Sequence, residues 1–325
     1  MIRPAACLNA VVVALSLFTI GATGRASERL KVMIPSTIDR VEQLCYVMLP
    51  DKFDADGEPA PLLVSLHSWS GDCEQRKPDL EAGAAERGWI YLAPNFRGPN
   101  DDPDACGSEK AQQDILDAVE WAKKTYRIDS RRVYLTGASG GGHMTLLMAG
   151  RHPGVWAAAS AWVGISDLKA WHEKHAATRY GQMMRACCGG APGESEAVDR
   201  EYRERSPLTH LKNAVNLPLD ISAGIHDGHT GSVPIWHSLA AFNVIAEAGN
   251  QPSISPQAMQ ELSRPEGRLS RPQASDREVD ASFGREIYLR RMAGPARVTI
   301  FEGGHERIDS ATLAWLERHV KKVGQ

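Results

Sequence analysis

Apolar residues along the chain gather into short blocks and longer spaced stripes, and the two kinds of run alternate. The blocks at 30–34, 43–49, 61–66, 89–93, 133–136, 156–163, 219–223 and 297–301 are rich in Val, Leu, Ile and Ala and predict eight strands. The block at 61–66 is apolar without alternation, as a strand covered on both faces requires. Between the blocks, residues 80–87, 109–124, 144–149, 234–248 and 311–321 predict helices; Ile115, Val119 and Ala122 form one such stripe. Strands alternating with helices, with no internal repeat, predict an α/β fold: one doubly wound, mostly parallel sheet of about eight strands with helices on both faces. Two regions fall outside this rhythm. Residues 169–205 are polar and irregular, carry Cys187-Cys188 in their middle, and are the natural place for a cap. Residues 250–280 are rich in Pro, Ser, Arg and Gln and read as a long surface insertion.

The chemistry concentrates at one junction between a block and a stripe. Val133-Tyr134-Leu135-Thr136 runs into Gly137-Ala138-Ser139-Gly140-Gly141, and an apolar helical stretch follows from Met144. Strand, G-x-S-x-G and helix in that order form the nucleophile elbow of an α/β-hydrolase. A serine at the tip of so tight a turn has neighbours packed so closely that a Cβ two residues away on either side would collide. The elbow lifts the hydroxyl clear of the sheet and aims the first amides of the next helix at the same spot, where they can hold an oxyanion. A Gly-rich turn before a helix is otherwise a plain tight loop or a phosphate cradle. No Lys-Ser/Thr pair follows the glycines here, which excludes the Walker phosphate loop.

An elbow serine needs an acid and a histidine after it, in that order. Asp227, in Gly224-Ile225-His226-Asp227-Gly228, follows the block at 219–223, and His305, in Glu302-Gly303-Gly304-His305-Glu306, follows the last block. His305 would take the Ser139 proton and return it to the leaving group, Asp227 would fix the imidazole tautomer, and water would cleave an acyl-enzyme. Asp167 is the rival acid. Of the 11 histidines, His143 lies one helical turn past the serine and suits packing beneath the elbow. The oxyanion hole is expected to use the Gly140 amide and one from His67-Ser68-Trp69, with Ser68 and Trp69 equally placed; Trp69 could instead wall the acyl pocket or sit at its rim.

The amino terminus reads as an export signal over residues 1–26, leaving 27–325 as one catalytic domain. Arg3 supplies the positive start, residues 10–20 an apolar run, and Ala22-Thr23-Gly24 and Ala26 the small residues near a cleavage site. An uncleaved membrane anchor is the competing reading, because the run approaches spanning length. Cleavage removes Arg3 and Arg25 and no acid, so the formal net charge of −3 moves further negative. That balance argues against nucleic acid as a partner. Cys45, Cys73, Cys106, Cys187 and Cys188 remain. Cys45, in a strand block, reads as buried filler. In an oxidising compartment the loop cysteines are expected to pair, as Cys73–Cys106 or as Cys106 with Cys187 or Cys188. No cysteine or histidine pair stands at zinc spacing, and neither a metal nor a cofactor is expected.

The chain from Asn95 to Pro234, completed by His305, also resembles the catalytic domain of the prolyl oligopeptidase family. Asn95-Phe96-Arg97-Gly98, Asp114, Trp121, Ile128-Asp129, Arg132-Val133, Gly137-x-Ser139-x-Gly141-Gly142, His152-Pro153, Asp167-Leu168, Ser206-Pro207 and the Asp227 loop carry the likeness. The resemblance implies Ser139, Asp227 and His305 as the triad. It departs from the family's large peptidases in having too short a span before the elbow for their β-propeller. Gly140 stands where they often carry a tyrosine, the stretch between Asp227 and His305 is long, and no double-glutamate motif for gripping a peptide terminus is evident. The layout is similar to small secreted esterases, feruloyl and acetylxylan esterases and polyester depolymerases among them. An exported serine hydrolase acting on a carboxylic ester, small or polysaccharide-linked, is the expectation. A peptidase of short peptides and a non-catalytic binding protein are the alternatives.

Overall fold

A computed structural model describes residues 28–322 of the chain, so the expected export signal lies outside the described residues. Nine strands form one sheet: β1 (Arg29–Pro35), β2 (Glu42–Met48), β3 (Ala60–Leu66), β4 (Ile90–Pro94), β5 (Ile128–Ala138), β6 (Ala158–Trp162), β7 (Leu219–Gly224), β8 (Ile287–Ala293) and β9 (Ala296–Phe301). They are ordered β1-β2-β4-β3-β5-β6-β7-β9-β8. The run from β4 to β9 is parallel, and β1, β2 and β8 join its edges antiparallel. β3, β4, β6, β7 and β9 are buried along their whole length, which is why their sequences show no alternation.

The helices that cover the sheet are α1 (Pro78–Glu86), α2 (Glu109–Thr125), α3 (Gly140–Arg151), α7 (Trp236–Ala248) and α9 (Asp309–Glu317). The stripe on α2 buries Ile115, Val119 and Ala122, while its outer face stays polar. β3 lies between β4 and β5, so the winding reverses there. The loops leaving the carboxyl ends of β3 and β5 therefore part above a crevice, the usual ligand position in such sheets.

The structure differs from the sequence pattern at two places. The ninth strand, β8, is one of them. Its segment carries Arg290 and Arg291, which hide the apolar rhythm, yet Arg290 is buried, with its amide bonded to Asp276 and its guanidinium to Asp280. Asp276 belongs to the 250–280 stretch, which also holds α8 (Pro256–Leu262); the expected surface insertion thus props an edge strand. The irregular 169–205 stretch is the second. It folds as three short helices, α4 (Leu168–His175), α5 (Arg179–Cys188) and α6 (Glu196–Glu204), each capped by a side chain, from Asp167, Thr178 and Ser195 respectively. Helices this short leave few repeats from which to read a period.

Candidate active site

Ser139 is the residue between β5 and α3, and its backbone is strained as the elbow requires, at φ 59°, ψ −118°. Holding a non-glycine residue there costs about 1–3 kcal/mol. The glycines around it are enforced by contact: a Cβ on Gly137 would lie 2.3 Å from the Gly141 carbonyl oxygen, and one on Gly141 2.5 Å from that of Leu66. The turn is tied to the sheet by the Ser139 amide, which donates to the Trp162 carbonyl at 2.9 Å, and to α3 by the His143 amide donating to Ser139 at 2.8 Å.

β7 and β9 are neighbours in the sheet, and this brings their trailing loops together. His305 Nδ1 lies 2.8 Å from Asp227 Oδ2. The other carboxylate oxygen of Asp227 accepts from the Gly228 and Val233 amides at 2.9 and 3.1 Å, so a buried anion is held in one orientation. A second link fastens the same two loops, with His226 Nε2 2.8 Å from Glu302 Oε1. Ser139 and His305 line one cavity of about 490 Å³, together with Ser68, Trp69, Val163 and Tyr180 among others.

The loop after β3 completes the wall. The Ser68 amide donates to Gln75 Oε1 at 2.9 Å and is thereby occupied. The Trp69 amide faces Gly140: a Cβ there would stand 2.3 Å from the Trp69 nitrogen and 2.4 Å from its Cα. A glycine at position 140 is thus a condition of the loop's approach. The Trp69 side chain is buried against Trp171 of α4, with ring centroids 4.6 Å apart, while the residue still contributes to the cavity wall.

The other residues singled out in the sequence lie elsewhere. Asp167 caps α4, accepting from the Ala170 amide at 3.1 Å. His143 is buried one turn below Ser139, its Nε2 2.8 Å from the Arg205 carbonyl oxygen, and burial pushes its pKa down to about 4. His67 stacks on Phe96 at 3.9 Å and bonds the Asn95 carbonyl, holding the β3 loop against the β4 loop. The five described cysteines are free and buried; Cys45 is packed in the sheet, and Cys106 packs in one cluster with Cys187 and Cys188 of the three-helix segment. Among the described residues no His, Cys, Asp or Glu cluster could hold a metal, and no helix is long and apolar enough to cross a membrane. Sequence reasoning missed Gln75, Lys77 and Tyr180 on the cavity wall. They sit in a loop, at a helix cap and in a short helix, where no period or motif marks them.

The nine-stranded, mostly parallel sheet with its flanking helices is an α/β-hydrolase fold, and solved structures share that fold. Pyrococcus horikoshii acylaminoacyl peptidase superposes at a TM-score of 0.63 with 19% identity, over 93% of this chain and 43% of that one. The model of the prolyl oligopeptidase family matches residues 81–259, and the chain belongs to that family. Feruloyl esterase B of Talaromyces stipitatus is 28% identical over 225 residues, 65% of this chain and 55% of that protein. Dipeptidyl aminopeptidase BIII of Pseudoxanthomonas mexicana is 29% identical over 206 residues, covering 58% of this chain and 29% of the peptidase. The chain thus spans about half the length of the esterase relative.

Proposed function

We propose that this chain is a serine hydrolase that cleaves carboxylic esters through an acyl-enzyme. The observation that carries the reading is the 2.8 Å contact of His305 with a buried Asp227, on the cavity that Ser139 also lines. His305 accepts the Ser139 proton as the hydroxyl attacks the ester carbonyl, then returns it to the departing alcohol. Asp227 keeps Nδ1 protonated so that Nε2 is the base. The Gly140 and Trp69 amides hold the tetrahedral oxyanion, the Ser68 amide being engaged by Gln75. Water, activated by His305, then releases the acid.

Ester rather than peptide substrates are favoured because the match to the feruloyl esterase runs over 65% of this chain, against 58% for the dipeptidyl aminopeptidase. Turnover of p-nitrophenyl acetate and butyrate, abolished in Ser139→Ala, is the expected result. Inertness toward short esters with cleavage of alanyl or prolyl dipeptide amides would establish the peptidase instead. Failure of a fluorophosphonate to label Ser139 would leave a binding protein.

Export belongs to the same reading, supported by Arg3, the apolar run at 10–20 and the small residues after it. So does a Cys106–Cys187 disulfide, formed during folding by exchange with an external disulfide that leaves as two thiols. Its support is the packing of those two residues in one buried cluster. Peptide mapping of protein folded in oxidised glutathione is expected to recover the 106–187 link; five alkylatable thiols, or a link through Cys73, would refute it.

A further inference from the structure

One cation in the catalytic cavity stands out from its neighbours. Lys77, the residue before α1, lines the same wall as Ser139 and His305. The other charged groups of that wall are neutralised in pairs: Arg76 with Glu81 at 2.7 Å, Arg307 with Asp309 at 2.5 Å, and Glu306 with Arg285 at 2.7 Å. The Lys77 ammonium has no carboxylate within 4.0 Å among the described residues. It donates to the Leu66 carbonyl at 2.6 Å and to Ser65 Oγ at 2.9 Å, which leaves one of its three hydrogens without a described acceptor. Both acceptors lie at the end of β3, immediately before the loop that carries Trp69.

We propose that Lys77 is a substrate-recognition residue that binds a carboxylate carried by the acyl or the leaving group of the ester. A partly buried ammonium at a cavity wall, given only neutral acceptors, lacks a counter-charge, and an incoming anion would supply one. Consistent with this, burial and the nearby Arg307 hold the Lys77 pKa well below the usual lysine value. The arrangement places the counter-charge on the substrate, because every fixed carboxylate of that wall already has an arginine. A purely structural lysine, bracing α1 against β3, would need its two present bonds and nothing from the cavity.

The inference rests on the esterase reading, and paired substrates separate the two. Mono-p-nitrophenyl glutarate against p-nitrophenyl butyrate tests the acyl side, and 4-acetoxybenzoate against phenyl acetate tests the leaving group. On at least one arm the intact protein is expected to favour the anionic ester in kcat/KM by about tenfold, a charge-assisted hydrogen bond's worth, and less at high salt. Lys77→Met should bring that ratio to one or below, and Lys77→Arg should keep part of it. Glutarate should compete with butyrate ester turnover in the intact protein, and 1,5-pentanediol should not. This last measurement needs no variant and holds should Lys77→Met fail to fold. Equal rates on both members of both pairs, or a ratio unchanged by Lys77→Met, would overturn the assignment while leaving the esterase standing. Inertness toward all four esters would overturn both.

Discussion

The carboxyl edge of the sheet and the three-helix segment above it face the same cavity but are built by opposite means. At the edge, backbone meets backbone. Gly137 touches Gly141, Gly140 touches the Trp69 peptide, and Asp227 is fixed by two amides and one imidazole. Over α4 to α6 side chains carry most of the packing, in a small cluster of Trp171, Met183, Met184, Tyr202 and neighbours under short helices, with one close backbone approach where Gly181 meets His175 and Ala176. Backbone contacts tolerate almost no substitution, whereas a side-chain cluster can repack at modest cost. The edge is therefore suited to chemistry and the helical segment to choosing what enters.

That contrast fails if edge substitutions behave like ordinary packing changes. The largest effect is expected from Asp227→Asn, which would leave the imidazole in the wrong tautomer: about a 10,000-fold loss of kcat with little change in melting temperature. Gly140→Ala comes next. Its Cβ would fall 2.3 Å from the Trp69 nitrogen, and displacing one oxyanion donor costs about 100- to 1,000-fold in kcat. A Gly140→Ala enzyme with full kcat would remove the Trp69 amide from the mechanism. On the helical side the order of effects should reverse. Trp171→Ala empties a buried site and is expected to lower unfolding free energy by about 3 kcal/mol in denaturant titrations, while the acyl-transfer step in single turnover falls far less than in Asp227→Asn. Smallest is Tyr180→Ala at the cavity wall, expected to shift KM and preference among acyl groups by a few-fold, about 1 kcal/mol or less.

The same contrast explains which parts of the molecule were legible in the sequence. Ser139, Asp227 and His305 each follow a strand whose apolar block is unmistakable, and a short loop leaves little choice of where the side chain goes. The eight blocks of the pattern all appear as strands. β8 escaped because Arg290, a buried residue there, owes its place to Asp276 and Asp280, partners that no periodicity reveals. α4 to α6 escaped because three short helices carry their apolar residues toward a private cluster and not toward the sheet. The choice between Ser68 and Trp69 turned on whether Gln75 occupies an amide several residues earlier, a matter of tertiary contact alone.

Trp69 belongs to both halves of this comparison. Its peptide lies against Gly140, and its indole is wedged on Trp171. A ligand that levers α4 outward would thus tug on a peptide packed against Gly140, next to Ser139. In the proposed mechanism, discrimination among acyl groups would then register in turnover number as well as in binding, and drift in the helices above could retune catalysis without touching Ser139, Asp227 or His305.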